Sequence, residues 1–97
     1  MKELPYPILV QRIMKMYDTD EDVEDENYYF KKVHKALDLS SVASCELFND
    51  WEEVKEELIL ITLHSGVEFI ITGKFKEFYK IWKNHIKSKN LFIFANN

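Results

Sequence analysis

Two apolar runs rich in β-branched and aromatic residues, 57–63 (ELILITL) and 67–72 (VEFIIT), flank His64-Ser65-Gly66, and this pattern predicts a β-hairpin. The loop length follows from the faces. A two-residue loop would pair His64 with Val67 and put Leu63 on a face with Glu68. A three-residue loop pairs Leu63 with Val67 and gathers Ile59, Ile61, Leu63, Val67, Phe69 and Ile71 on one apolar face. A slip of one residue exchanges the faces, so the apolar face selects the three-residue loop, with Gly66 at its left-handed position. The other face, Leu58, Leu60, Thr62, Glu68, Ile70 and Thr72, is half apolar, and its Leu58/Leu60/Ile70 end calls for a cover.

A helical rhythm follows directly. In residues 74–88 (KFKEFYKIWKNHIKS), Phe75, Phe78, Tyr79, Trp82 and Ile86 recur at i, i+3, i+4, i+7 and i+11, with lysines opposite. Thr72 is placed to cap the start and Asn90 to end the helix in the left-handed conformation. Leu91-Phe92-Ile93-Phe94 then reads as a last strand or a segment packed on the core. Upstream, Val42–Phe48 (VASCELF) reads as a strand. Residues 49–57 fit a one- or two-turn helix, with Asp50 and Glu53 as a capping box, or an ordered loop. Leu9, Ile13, Met16 and Tyr17, and again Tyr29, Phe30, Val33, Ala36 and Leu37, have helical spacing, so periodicity favours helices over 5–17 and 27–37, with strands as the alternative.

One segment breaks the pattern. Residues 18–26 (DTDEDVEDE) carry seven acids in nine positions, and such a block repels itself and stays solvated as a loop. It polarises the chain: residues 1–60 hold fifteen acids and seven bases, residues 61–97 two acids and six bases, within a net charge of −4. Ninety-seven residues with 46% apolar content suit a single globular domain spanning 1–97. Cys45, the only cysteine, allows neither an internal disulfide nor a thiolate zinc cluster. The N-terminus lacks the apolar run of a secretory signal, and no stretch reaches the length of a membrane span, so the expected setting is cytoplasmic. Twelve lysines against one arginine, with many Ile, Phe and Asn, follow from AT-rich codons and point to a low-GC microbe or its phage.

From residue 28 to 88, YYFKK, then ALDLSSV, then the hairpin and a helix with Trp82 at its middle (FKEFYKIWKNHI) resemble the C-terminal part of pleckstrin-homology-like domains. The resemblance implies a strand over 28–34 and a partly open barrel plugged by the helix. Phosphoinositide-binding members carry a basic early loop, whereas the corresponding segment here is the acidic 18–26.

The chemistry-bearing residues form no motif. His34, His64 and His85 lie on different elements without ligand spacing. Cys45 sits in a strand pattern beside Ala43 and Leu47 and reads as a small buried hydrophobe. Ser40, Ser41 and Ser65 lack a nucleophile elbow, and two glycines cannot build a phosphate loop. Asp18, Asp20 and Asp22 alternate as in a calcium loop, but the central glycine and final glutamate of an EF-hand are missing. The lysines of 74–89 read as a solvated helix face rather than a nucleic-acid stripe.

The expectation is therefore an α+β protein, a small antiparallel sheet of strands 42–48, 57–63 and 67–72 with helix 74–88 across it, and Trp82 as the anchor. It is not expected to be an enzyme or to hold a cofactor or metal, nor to engage nucleic acid or membrane directly. Its expected function is binding or regulation: Asp18, Asp20, Glu21, Asp22, Glu24, Asp25 and Glu26 engage a basic protein partner, as a phage- or mobile-element-encoded inhibitor would. The alternative is a homodimeric assembly component using Leu91, Phe92, Ile93 and Phe94 and the second sheet face. A third reading, a small hydrolase-like or ligand-binding domain, needs convergent carboxylates in a pocket.

Overall fold

The computed structural model describes residues 7–17 and 27–95, and the side chains as far as Lys87. Five strands, β1 (Ile8–Tyr17), β2 (Tyr28–Leu37), β3 (Val42–Phe48), β4 (Leu58–Leu63) and β5 (Glu68–Thr72), form one antiparallel sheet in the order β2-β1-β5-β4-β3. A 3-10 turn, Leu39–Ser41, joins β2 to β3, and helix α1 (Phe75–Ala95) closes the chain. The architecture is α+β, as the patterning predicts, with two strands more than expected.

The β4–β5 hairpin has the predicted register. Ile59 pairs with Ile71 and Ile61 with Phe69. Leu63 N–H donates to the Val67 carbonyl at 2.9 Å, and Gly66 N–H closes the turn onto the Leu63 carbonyl at 2.9 Å. Gly66 has φ +93°, a conformation in which a Cβ would be strained. Val67, at the mouth of the turn, stands exposed rather than joining the apolar face.

That face is the main core. Ile59, Ile61, Phe69 and Ile71 lie beneath Phe78 of α1, with Leu37, Leu39 and Val42 closing one side. A bulge between Val42 and Ser44 turns both Val42 and Cys45 toward the helix, although three positions separate them. Among the described side chains of α1, Phe78, not Trp82, is the most deeply buried. Trp82 and Phe75 are half-buried, and Tyr79 and Ile86 are exposed. The predicted stripe is thus rotated, and His85 takes the half-buried place assigned to Ile86.

Thr72 does not cap α1. Its hydroxyl donates to Gln11 Oε1 at 2.9 Å, and the free Phe75 N–H donates instead to the Glu57 carboxylate at 2.6 Å. A carboxylate at this end of a helix also opposes the positive pole of the backbone dipole. Asn90 does not end the helix, for among the described residues none other than glycine has positive φ, and α1 runs through Leu91–Phe94 to Ala95. The last strand or packed segment expected over 91–94 is therefore helical backbone. An asparagine inside a helix costs less than about 1 kcal/mol, close to the Phe and Ile that follow it, so it does not by itself stop the helix. The side chains of Leu91, Phe92, Ile93 and Phe94 lie outside the described residues.

The two N-terminal segments are strands, not helices. They pair over ten residues, from Ile8 opposite Leu37 to Tyr17 opposite Tyr28. Apolar residues occupy both faces of this hairpin, so the two-residue alternation is blurred and chance spacing imitates a helix. The strand over 28–34 is the one that the pleckstrin-like resemblance implied.

Candidate functional site

The sheet has two working faces because it has two covers. α1 covers one. The connector between β3 and β4, residues 49–57, covers the other, and it is an ordered loop with a turn closed by Val54 N–H on the Trp51 carbonyl. Its Trp51 ring lies 5.0 Å from Phe48 on β3 and 5.2 Å from Phe30 on β2. Those are the two edge strands. Trp51 thus bridges the sheet across its twist, over a face where Ile13 and Leu58 are almost closed off. This is the cover that the half-apolar second face called for. Glu53 does not complete a capping box: it accepts the Tyr28 hydroxyl, while Glu56 pairs with Lys32.

Beyond this clamp the β1–β2 hairpin continues alone. β5 pairs with β1 only at Gln11, Arg12 and Ile13, so among the described residues the pairs from Met14–Lys31 to Tyr17–Tyr28 have no third strand beside them. Their end is aromatic. Tyr17 meets Tyr28 edge-on at 6.3 Å, Tyr28 meets Phe30 at 5.8 Å, and Phe30 passes the contact to Trp51. Tyr17, Tyr28 and Tyr29 are 54%, 40% and 55% exposed. The Lys15 ammonium sits 4.1 Å from the Tyr28 ring centroid and 5.7 Å from that of Tyr17. These rings therefore already receive a cation, as aromatic faces do.

The Tyr28–Glu53 contact is mutually perturbing. Donation to the carboxylate holds the Tyr28 hydroxyl above its ordinary pKa, and the Glu53 charge adds to this. Acceptance of that hydroxyl holds the Glu53 carboxyl below its ordinary value, with help from its own backbone amide.

The acidic residues Asp18, Asp20, Glu21, Asp22, Glu24, Asp25 and Glu26 lie outside the described residues; the chain enters their segment just after Tyr17 and leaves it just before Tyr28. The other expected candidates do not converge. His34 is exposed on β2, His64 is exposed with its N–H on the Ser41 carbonyl at 2.9 Å, and His85 lies midway along α1. Cys45 is half-buried, and burial raises its thiol pKa. Ser40 Oγ donates to Asp38 Oδ1 at 2.7 Å and Ser41 Oγ to the Asp38 carbonyl at 2.6 Å, which holds both in the turn. Among the described residues no three His, Cys, Asp or Glu groups are placed to hold a metal ion, and no helix is long and apolar enough to cross a membrane.

The tyrosine cluster escapes a linear reading. Only the pairing of Tyr17 with Tyr28 and the arrival of Trp51 assemble it. No protein-family model, no curated protein and no solved structure matches the chain.

Proposed function

We propose that this chain is a non-enzymatic binding protein whose acidic half engages a basic protein surface, in the manner of an inhibitor encoded by a phage or mobile element. One observation supports this above the others. The segment with seven acids in nine positions leaves from a hairpin end with three exposed tyrosines, two of them already holding a lysine ammonium. Acidic residues draw in a basic partner over a distance and raise the rate of encounter. Tyrosines supply the contact area that concentrates binding energy at interfaces. Lys15 then marks how an incoming Lys or Arg is received. Pleckstrin-like ancestry would suit such a role.

The test is retention of a protein from a microbial lysate on immobilised chain. Capture should weaken with added salt. It should be lost when Asp20, Asp22, Glu24 and Glu26 become Asn or Gln, and reduced by Tyr17→Ala with Tyr29→Ala. Capture indifferent to charge, salt and tyrosines would reduce the acidic segment to a solubilising connector.

A second reading, homo-oligomeric assembly, is favoured by exposed Tyr79, Ile81 and Ile86 on the same helix that carries Leu91, Phe92, Ile93 and Phe94. The connector already covers the Ile13/Leu58 part of the second sheet face, while Leu9 on that side stays exposed for such a contact. Light scattering with and without residues 91–97 separates the readings: a dimer lost on truncation favours assembly.

A further inference from the structure

Arg12 and Lys35 are diagonal neighbours across β1 and β2, on the side of the sheet that faces α1. Both reach over one ring. The Arg12 guanidinium carbon is 5.7 Å and the Lys35 ammonium 5.2 Å from the centroid of the Phe69 ring, which is itself only 5% exposed. Among the described residues neither cation has an ion pair or a hydrogen bond, and Arg12 Nε is shielded with no acceptor. By strand alternation from the register pairs, no carboxylate stands on this side of any of the five strands.

Two like charges over one ring repel each other, and a shielded donor without an acceptor is unfavourable. Nearly all buried polar groups in native proteins are satisfied, so the shielded Arg12 Nε asks for an acceptor that the described residues do not supply. We infer that Arg12 and Lys35 form a carboxylate-binding site on the Phe69 ring. A guanidinium presents a planar pair of donors that matches a carboxylate, and the neighbouring ammonium adds a second charge-assisted bond. The exposed Val67 and the half-buried Met14 and Val33 lie on the same side, giving the bound group an apolar rim. A polyanion is disfavoured, because the acid-rich segment of the same hairpin repels extended negative charge. A single carboxylate pays little of that repulsion. The site uses none of the residues of the proposed acidic interface, so the two readings stand or fall separately.

Arg12 is the only arginine in the chain, so one side-chain Nε–Hε resonance reports on this site in a nitrogen-15 NMR spectrum. The full-length chain is titrated with sodium acetate, sodium phosphate and sodium chloride at matched ionic strength. Acetate is expected to move this resonance along a saturating curve, at least as tightly as phosphate and well before chloride. Lys35→Met leaves the reporter in place and should weaken the acetate midpoint by roughly tenfold, the loss of one charge-assisted bond. Backbone amide spectra confirm that the variant is folded. Should it not fold, Lys35→Gln serves in its place. A linear response, one shared with chloride, tighter saturation by phosphate, or an acetate midpoint unchanged by loss of Lys35 would overturn the assignment.

Discussion

Along β4 and β5 the apolar side chains sort by face. Ile59, Ile61, Phe69 and Ile71 are closed off under α1, and Leu58 is closed off under the connector. Along β1 and β2 only Ile13 and Leu37 reach that state, while Leu9, Tyr17, Tyr28 and Tyr29 stand in solvent. Both regions are antiparallel hairpins of apolar and aromatic residues. They differ in neighbours: β4 and β5 have strands on both outer edges, whereas β2 is an edge and the far half of β1 is unaccompanied. Burial follows position in the sheet more closely than composition. The central hairpin holds the fold together, and the other leaves its aromatic rings exposed.

The largest effect should come from Phe78, the helix residue that closes the central face. Phe78→Ala should cost about 3–5 kcal/mol in urea unfolding, since it opens a cavity over Ile59 and Ile71. A chain of this size has a total stability on the order of 5 kcal/mol, so Phe78→Leu is the gentler companion, at about 1–2 kcal/mol. Trp82→Ala, half-buried, should fall below Phe78→Ala. Tyr29→Ala on the projecting hairpin should stay within about 0.5 kcal/mol, as exposed positions do. Equal losses at Phe78 and Tyr29 would break the contrast between the two hairpins.

Trp51 joins the two regions, and its removal should come next. Trp51→Ala takes away ring contacts with both Phe30 and Phe48 and uncovers the Ile13/Leu58 face. About 2–3 kcal/mol and a diminished near-ultraviolet dichroism are expected, with Trp51→Phe recovering part of both. If hydrogen exchange at Ile13 and Leu58 is unchanged in Trp51→Ala, the connector is not the cover described above.

How much of this was legible in the linear chain differs between the hairpins for the same physical reason. In β4–β5 one face is wholly apolar, so only one register avoids burying Glu68, and Leu63 opposite Val67 could be read off directly. In β1–β2 each face is partly covered, and residues such as Leu9 and Tyr29 are apolar without being buried, so the spacing carried no clear period. The end of α1 was misplaced because an asparagine before Leu-Phe-Ile-Phe looks like a stop followed by a strand, and nothing local distinguishes a tolerated asparagine from a terminating one. The acidic run was visible at once. The tyrosine cluster and the Arg12–Lys35 pair were not, since each is assembled from residues brought together only by strand register and sheet twist.

A smaller effect sharpens the reading of the central hairpin. Gly66 has positive φ, yet a Cβ there would meet nothing within 4 Å. The cost of Gly66→Ala is thus conformational rather than steric, at about 1 kcal/mol. Gly66→Asn should lose less, because asparagine tolerates the left-handed region. A neutral Gly66→Ala would mean that the turn relaxes to another register at no cost, and the Leu63–Val67 hydrogen bonds would then be missing from exchange data.

The smallest expected effect lies on the projecting hairpin, at Tyr28 and Glu53. Glu53 is held below its ordinary pKa by the Tyr28 hydroxyl, so its contribution is complete above the usual carboxylate value of about 4.3 and fades as pH falls through the depressed one. Tyr28 is held above its ordinary value, so its contribution is complete below about pH 10 and fades as pH rises through the elevated one. Both groups are open to water, so the contact should leave the melting temperature nearly flat from about pH 5 to 9. The titration itself is the sensitive readout. With carbon-13 at the tyrosine Cζ, Glu53→Gln should let Tyr28 ionise at a lower pH than it does in the wild type. If Glu53→Gln leaves the Tyr28 titration where it was, the connector does not reach the hairpin through this pair, and the ring contacts of Trp51 alone hold it in place.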